Sequence, residues 1–153
     1  MIKIAFLADH LEVLSILAQW FRAQWPDYFA GKSIAAVESD FHAEANFQNM
    51  PIRLLAFVGE DLAGTIVLRK CALNSLPEYA PGLGGFFVAE NYRRRGVGSE
   101  LIKAGIKVAR EHGYERLFAG TSTAYTLFES LGWEPIAQIK EGQEIVVIYR
   151  YIL

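Results

Sequence analysis

Residues 84–113, GGFFVAENYRRRGVGSELIKAGIKVAREHG, carry the pattern that most restricts how this chain can fold. An apolar strand runs into three arginines, then a Gly-Val-Gly turn, then a helical repeat from about Gly96 to His112, with Gly113 as its terminating glycine. Positive charge and backbone freedom thus meet at the start of a helix. There the first backbone N–H groups have no internal partners, and the helix dipole adds about half a positive charge. Gly96 and Gly98 remove side chains that would keep an anion from those donors, and Arg93, Arg94 and Arg95 add charge beside them. A phosphate-bearing ligand is expected, with no metal required. A solvated basic turn is the simpler reading of the arginines taken alone.

The charge is local. The 153 residues carry a net charge of −2, with 52% apolar and 21% charged side chains, so one well-cored domain spanning 1–153 is expected. A sequence pI of about 5.9 argues against a nucleic-acid binder, which needs a broad basic face. The N-terminal MIKIAFLADHL is charged too soon for a signal peptide, and no 18-residue apolar span occurs, so no membrane contact and a cytoplasmic location are expected. Cys71 is the one cysteine and lies in the apolar run TIVLRKCAL, which reads as a packed thiol more readily than a nucleophile. His10, His42 and His112 lack metal-ligand spacing, and His112 at a helix end suits the negative pole.

Two familiar phosphate loops are excluded. The dinucleotide fingerprint G-x-G-x-x-G would need glycine at Leu101 and an acid near Ala119–Thr121, and neither is present. No G-x-x-x-x-G-K-[ST] string occurs.

The rest of the chain supplies the frame. IKIAFLA reads as a strand; Asp9, with Glu12 three positions on, reads as a capping box for a helix with Leu11, Leu14, Leu17, Ala18 and Phe21 on one face. Pro26 and Gly31 break that helix, and Ser33 caps a second reaching about Phe47. Residues 53–71 read as an antiparallel hairpin around GED. After the glycine turn and its helix come the strand ERLFAG, a short helix STAYTLFESLG, and a last strand pair around EGQ. The order β-α-α-β-β-β-α-β-α-β-β predicts an α+β fold, a three-layer sandwich around a mixed, mostly antiparallel sheet.

At this point a resemblance becomes specific. FFVAENYRRRGVGSELI resembles motif A of the GNAT superfamily of acyl-CoA-dependent N-acetyltransferases, where Q/R-x-x-G-x-G/A follows a central strand. AYTLFESLGWE resembles the family's motif B, and the element order matches over nearly the whole chain, implying a GNAT-like α/β/α sandwich of about seven strands. The resemblance implies acetyl-CoA as cosubstrate, its pyrophosphate on the backbone N–H groups of Arg94, Arg95, Gly96, Val97, Gly98 and Ser99. It implies that Phe86, Phe87 and Val88 offer a strand edge to the pantetheine arm, with Val88 N–H as oxyanion donor. Strands 84–89 and 115–120 would splay to make the opening, with Gly84 and Gly85 able to accommodate the departure.

The same resemblance assigns the first two helices and their connection to the acceptor side. Trp25, Asp27 and Tyr28 are therefore candidates for an amine site, by cation–π contact and charge, with ordinary packing the alternative for any one of them. A primary amine of pKa about 10.4 must lose a proton before it attacks. Residues 82–87 carry no glutamate, which leaves Glu78 as the nearest base or as a solvated loop carboxylate. Phe128 occupies the position where the family's motif B usually has a tyrosine. Tyr125, one turn away, offers a phenol in its place, with water as the other proton source. Expected partners are an amine-bearing small molecule or a peptide acceptor, and a homodimer is admitted. A module that holds acyl-CoA without turnover would share the turn and the strand.

Overall fold

The computed structural model describes all residues, Met1–Leu153. Seven strands form one sheet: β1 (Ile2–Phe6), β2 (Ile52–Val58), β3 (Asp61–Arg69), β4 (Gly82–Val88), β5 (Arg116–Thr121), β6 (Glu134–Glu141) and β7 (Glu144–Ile152), in spatial order β1-β2-β3-β4-β5-β7-β6. Only the β4–β5 pair is parallel. The helices are α1 (Leu14–Gln24), α2 (Ile34–His42), α3 (Val97–Glu111) and α4 (Tyr125–Ser130).

Strand β2 shows why there are three layers. Its sequence IRLLAFV is apolar on both faces, as a strand covered on two sides must be. Ile52, Leu54 and Ala56 pack into a core with Leu101, Ile102 and Ile106 of α3 and Phe128 of α4. Leu55 and Phe57, pointing the other way, pack with Leu17 and Phe21 of α1 and Val37 and Phe41 of α2. Side-chain period two thus places a helical layer on each face. Burial of each large aliphatic group contributes about 1.5–3 kcal/mol, so truncating one at the centre, such as Leu101→Ala, costs about 2–5 kcal/mol.

Two expected boundaries move. β1 ends at Phe6, and the chain enters two 3-10 turns, Leu7–Asp9 and Leu11–Val13, before α1 begins at Leu14. Asp9 caps nothing, and Glu12 instead meets His10, whose Nδ1 lies 3.1 Å from its Oε2. Leu7 and Val13 are buried in the α1–α2 core, and that burial outweighs a cap worth about 1 kcal/mol. Leu11 is left exposed rather than on the buried stripe. Ser33 does cap α2, its Oγ accepting from Ala36 N at 3.1 Å. That helix ends at His42, not near Phe47, because Glu44 turns to meet Arg53 and Asn46 donates to Pro51 O at 2.8 Å.

Two irregularities of β4 position the site. Val67 faces Gly84 and Thr65 faces Phe87, so Gly85 and Phe86 together oppose Ile66 in a bulge. Gly85 takes φ +50, and a Cβ there would stand 2.5 Å from Arg53 Nη2. On its other edge β4 pairs with β5 only at Gly82–Phe118 and Leu83–Ala119. Beyond Leu83 the two parallel strands part, leaving an open ladder.

Candidate active site

A cleft of about 450 Å³ occupies that opening, walled by Phe86, Phe87 and Val88 on one side and the start of α3 on the other. Gly96 is the N-cap of α3 with φ +85 and no side-chain cap. Backbone N–H groups of Arg94 through Ser99 find no acceptor within the protein, the first return bond being Glu100 N to Gly96 O at 3.1 Å. Six consecutive N–H groups without an internal acceptor thus lie at the start of α3, five of them in residues that line the cleft, an arrangement suited to a phosphate or diphosphate. The absence of a side chain at Gly98 serves packing as well as access, since a Cβ would stand 2.8 Å from Phe86 Cζ and 3.0 Å from Leu127 Cδ2.

The ladder supplies a further donor. Ala89 N bonds Ala63 O at 2.8 Å across to β3, so by alternation Val88 turns its N–H toward the open edge. Its carbonyl accepts from Arg93 Nε at 2.9 Å, while the Arg93 guanidinium lies 5.7 Å from the Phe87 ring centroid. Arg93 therefore ties the turn to the strand. Tyr92, which also lines the cleft, holds the same loop by donating to Asp61 Oδ2 at 2.7 Å, a bond that raises its pKa.

Across β4 a second cavity, of about 800 Å³, opens between α1, α2 and the sheet. Trp25 lines both spaces and packs on Phe21 at 5.0 Å and Phe87 at 6.3 Å, so it stands where the two meet. Arg53 forms the floor, only 2% exposed. Its Nε donates to Glu44 Oε1 at 2.6 Å, and its Nη1 to Thr65 Oγ1 at 2.9 Å and Gly85 O at 3.0 Å. The rings of Phe21 and Phe41 lie 5.3 Å and 4.9 Å from its Cζ. A buried guanidinium needs this many partners, and its bond to Gly85 O fixes the bulge. Lys32 and Asp40, 2.7 Å apart, form a second ion pair at the cavity; it raises the Lys32 pKa.

The sequence over residues 14–133 matches the profile of the Acetyltransferase (GNAT) family. The chain belongs to that family. Among curated protein sequences none matches. Solved structures share the GNAT fold end to end. The Salmonella typhimurium yncA structure, determined with its cofactor acetyl-CoA, superposes with a TM-score of 0.76 at 15% identity, covering 99% of this chain and 93% of that one. An aminoglycoside 6'-N-acetyltransferase complexed with coenzyme A gives 0.75 at 16% identity, covering 98% and 96%. The ribosomal-protein-alanine N-acetyltransferase of Brucella melitensis gives 0.74 at 20%, covering 100% and 99%.

The cleft brings together Phe86, Phe87, Val88, Arg93, Arg94, Gly96, Val97, Gly98 and Ser99. Arg95 stands apart, its guanidinium 5.3 Å from the Tyr92 ring and turned from the cleft. Phe128 and Tyr125 stand apart too. They share one helical face, and that face packs on β7 and Trp133. Phe128 stacks on Tyr149 at 5.7 Å and meets Trp133 at 5.0 Å, while the Tyr125 hydroxyl donates to Ile145 O at 2.6 Å. Burial and a bond to Glu129 push Tyr149 up to about 12. Leu127 and Thr123 face the cleft instead.

Of the residues expected on the acceptor side, Trp25 and Tyr28 line the second cavity, but Asp27 sits in an exposed turn and Glu78 in an exposed loop, and neither lines it. The carboxylates that do are Asp40, Glu44 and Glu141. Arg53 and Arg69 went unread in the sequence. Arg53 had a signal, a charge set inside the apolar strand IRLLAFV, where a partnered or functional group is needed; Arg69, at the end of DLAGTIVLR, had none. Cys71 is a buried free thiol just past β3, 3.9 Å from Asn74 Oδ1. No group of His, Cys, Asp or Glu side chains could hold a metal ion, and no helix is long and apolar enough to cross a membrane.

Proposed function

We propose that this GNAT-family chain is an N-acetyltransferase that moves the acetyl group of acetyl-CoA to a primary amine of a small molecule by direct attack. The observation carrying this is the run of six unpartnered N–H groups, Arg94 to Ser99, beside the parted edge of β4. The residues present fit the cosubstrate. The turn offers donors and dipole to a diphosphate, and the open ladder offers amide partners to an extended pantetheine arm. The yncA and aminoglycoside relatives, solved with acetyl-CoA and coenzyme A, support the same assignment.

Val88 N–H donates to the carbonyl oxygen that gains charge as the amine adds to the acyl carbon; such a donor contributes about 2.7–4 kcal/mol. The amine forms its bond to carbon, the carbon–sulfur bond breaks, and the ammonium proton leaves. Glu44 is held by Arg53 and Asp40 by Lys32, which leaves Glu141, at the end of β6, or water to take that proton. Water protonates the departing thiolate, since the Tyr125 phenol is engaged by Ile145 O. A thiol of pKa about 8.5 is a tolerable leaving group without a dedicated acid. A cavity of about 800 Å³ has room for a small acceptor, its wall mixing Phe21, Trp25 and Phe29 with Lys32, Asp40 and Arg69, and the exposed Tyr28 standing at its open side.

Thiol release from acetyl-CoA, followed across polyamines, amino acids, aminoglycosides and peptides, tests the reading. Release with at least one small amine is expected, together with a metal-independent rise in melting temperature on adding acetyl-CoA. Acetyl-CoA binding with no release for any amine would instead indicate a non-catalytic acyl-CoA module. Release with peptides alone would move the acceptor class to protein.

A further inference from the structure

The second cavity contains a cation, Arg69, that is in no ion pair, although Asp40, Glu44 and Glu141 also line the cavity. Arg69, at the end of β3, extends its guanidinium across Gly84, where a Cβ would stand 2.9 Å from Arg69 Nε. It makes one hydrogen bond, Nη2 to Ala72 O at 3.0 Å, and no carboxylate lies within ion-pair distance. Arg53, beneath the same cavity, has Glu44, Thr65 and Gly85 O. The contrast is chemical: one arginine is satisfied by the protein, and the other keeps most of its five donors open. Burial, and then the charge of Arg53, lower the pKa of Arg69, with Glu44 across the cavity acting in the opposite direction. Asn74 and Ser75 line the cavity together with Arg69. Cys71 Sγ lies against Asn74 Oδ1, which leaves the Asn74 amide nitrogen available as a donor.

Building on the transferase reading above, we infer that Arg69, with Asn74 and Ser75, binds a carboxylate carried by the amine acceptor. The planar fork of an arginine suits a carboxylate in bidentate contact. The spacing also restricts the acceptor. Arg69 stands over Gly84, whereas the Val88 N–H that marks the reacting carbonyl is four residues along β4, about 13 Å of strand before the bulge shortens it. The amine and the carboxylate therefore belong several bonds apart, as in an ω-amino acid or a short peptide, and not on one carbon.

Three six-carbon probes test this on the protein saturated with coenzyme A: 6-aminohexanoate, hexanoate and hexylamine, titrated by calorimetry. The two carboxylates are expected to bind at least tenfold more tightly than hexylamine. Arg69→Gln should erase that preference, and Arg69→Lys, which keeps a charge but loses the fork, should retain part of it. Coenzyme A affinity should stay within twofold in both variants, and their melting temperatures report whether they fold. Hexylamine binding as tightly as 6-aminohexanoate, no binding by any probe, or an undiminished carboxylate preference in a folded Arg69→Gln protein would each overturn the inference. Thiol release separates it from the transferase reading. Turnover indifferent to a carboxylate ends the inference alone. Arg69-dependent carboxylate binding with no turnover of any amine ends the transferase reading alone.

Discussion

The two sides of β4 are built from different materials. The coenzyme-side cleft is made mostly of backbone: six N–H groups from one continuous turn and a ladder edge opened by a parting strand. The proposed acceptor cavity is made largely of side chains, drawn from α1, the α1–α2 connection, α2, β2, β3, the loop after β3 and the end of β6. A backbone site depends on where the chain bends, so substitutions matter there mainly when they bend it differently or fill the space. A side-chain site depends on which groups are charged and paired, so a single isosteric change can matter. Bulge residue Gly85 joins the two, with its carbonyl held by Arg53 and the next residue, Phe86, facing the cleft.

The largest effect tests the backbone side. Gly98→Val places its Cβ into the Phe86 ring edge and the Leu127 methyl, so either those side chains move into the cleft or the first turn of α3 shifts, and both change the space beside the turn. Acetyl-CoA affinity should fall more than hundredfold, with a lower melting temperature as overpacking strains the α3–α4 contact. Undiminished binding would show that this turn does not hold the cosubstrate.

The acceptor side should break in stability first. Glu44→Gln leaves the Arg53 guanidinium buried without its counter-charge. Breaking a fully buried pair costs about 3–5 kcal/mol, and the partial exposure of Glu44 reduces this to about 2–3 kcal/mol. At the scale of a chain this size that is a drop of about 5–10 °C in melting temperature. Acetyl-CoA affinity should stay within twofold, and Arg53→Met added to Glu44→Gln should recover part of the loss. A coenzyme affinity that falls along with the melting temperature would mean the two sides are coupled through Gly85.

A smaller effect, about tenfold, carries opposite signs in the free and bound protein. Ser99→Asp puts a carboxylate in the first turn of α3, where the dipole favours it by about 0.3–1 kcal/mol, so the free protein should melt no lower than before. The same charge repels a diphosphate, so acetyl-CoA should bind about tenfold more weakly, most visibly at low salt. Unchanged affinity with raised stability would put the anion elsewhere.

The contrast also explains what the sequence could disclose. The strand, turn and helix of residues 84–113 are contiguous, so the spacing of Arg93, Gly96 and Gly98 specifies the cleft before any tertiary contact is known. Element order was legible for a similar reason: hydrophobic period two or 3.6 is a local property. Of the residues lining the second cavity, Trp25 and Tyr28 were named from the sequence, but Arg53 and Arg69 were not, because the two become neighbours only through the β2–β3 pairing and the glycines facing them. Capping by Asp9 failed on the same ground, since burial of Leu7 and Val13 is a tertiary fact. In α4 the motif gave the helix but not its rotation, and one residue of phase separates Leu127 in the cleft from Phe128 in the core.

That phase sets the smallest prediction. A phenol that protonates a leaving thiolate must reach sulfur, and Tyr125 lies on the α4 face turned to β7, with its hydroxyl 2.6 Å from Ile145 O. To act as an acid it would have to abandon that bond and swing toward the cleft past Leu127. Tyr125→Phe should therefore leave kcat within twofold at saturating acetyl-CoA with chemistry rate-limiting, and lower stability by about 0.5–1.5 kcal/mol for the lost hydrogen bond. Phe128→Tyr is the companion. It adds a hydroxyl to a ring stacked on Tyr149 in a core that is 3% exposed there, so it should destabilise the fold without raising kcat. A tenfold fall in kcat for Tyr125→Phe, restored in part by Phe128→Tyr, would mean that α4 rotates when acetyl-CoA binds. The leaving-group side would then depend on side chains as much as the acceptor cavity does.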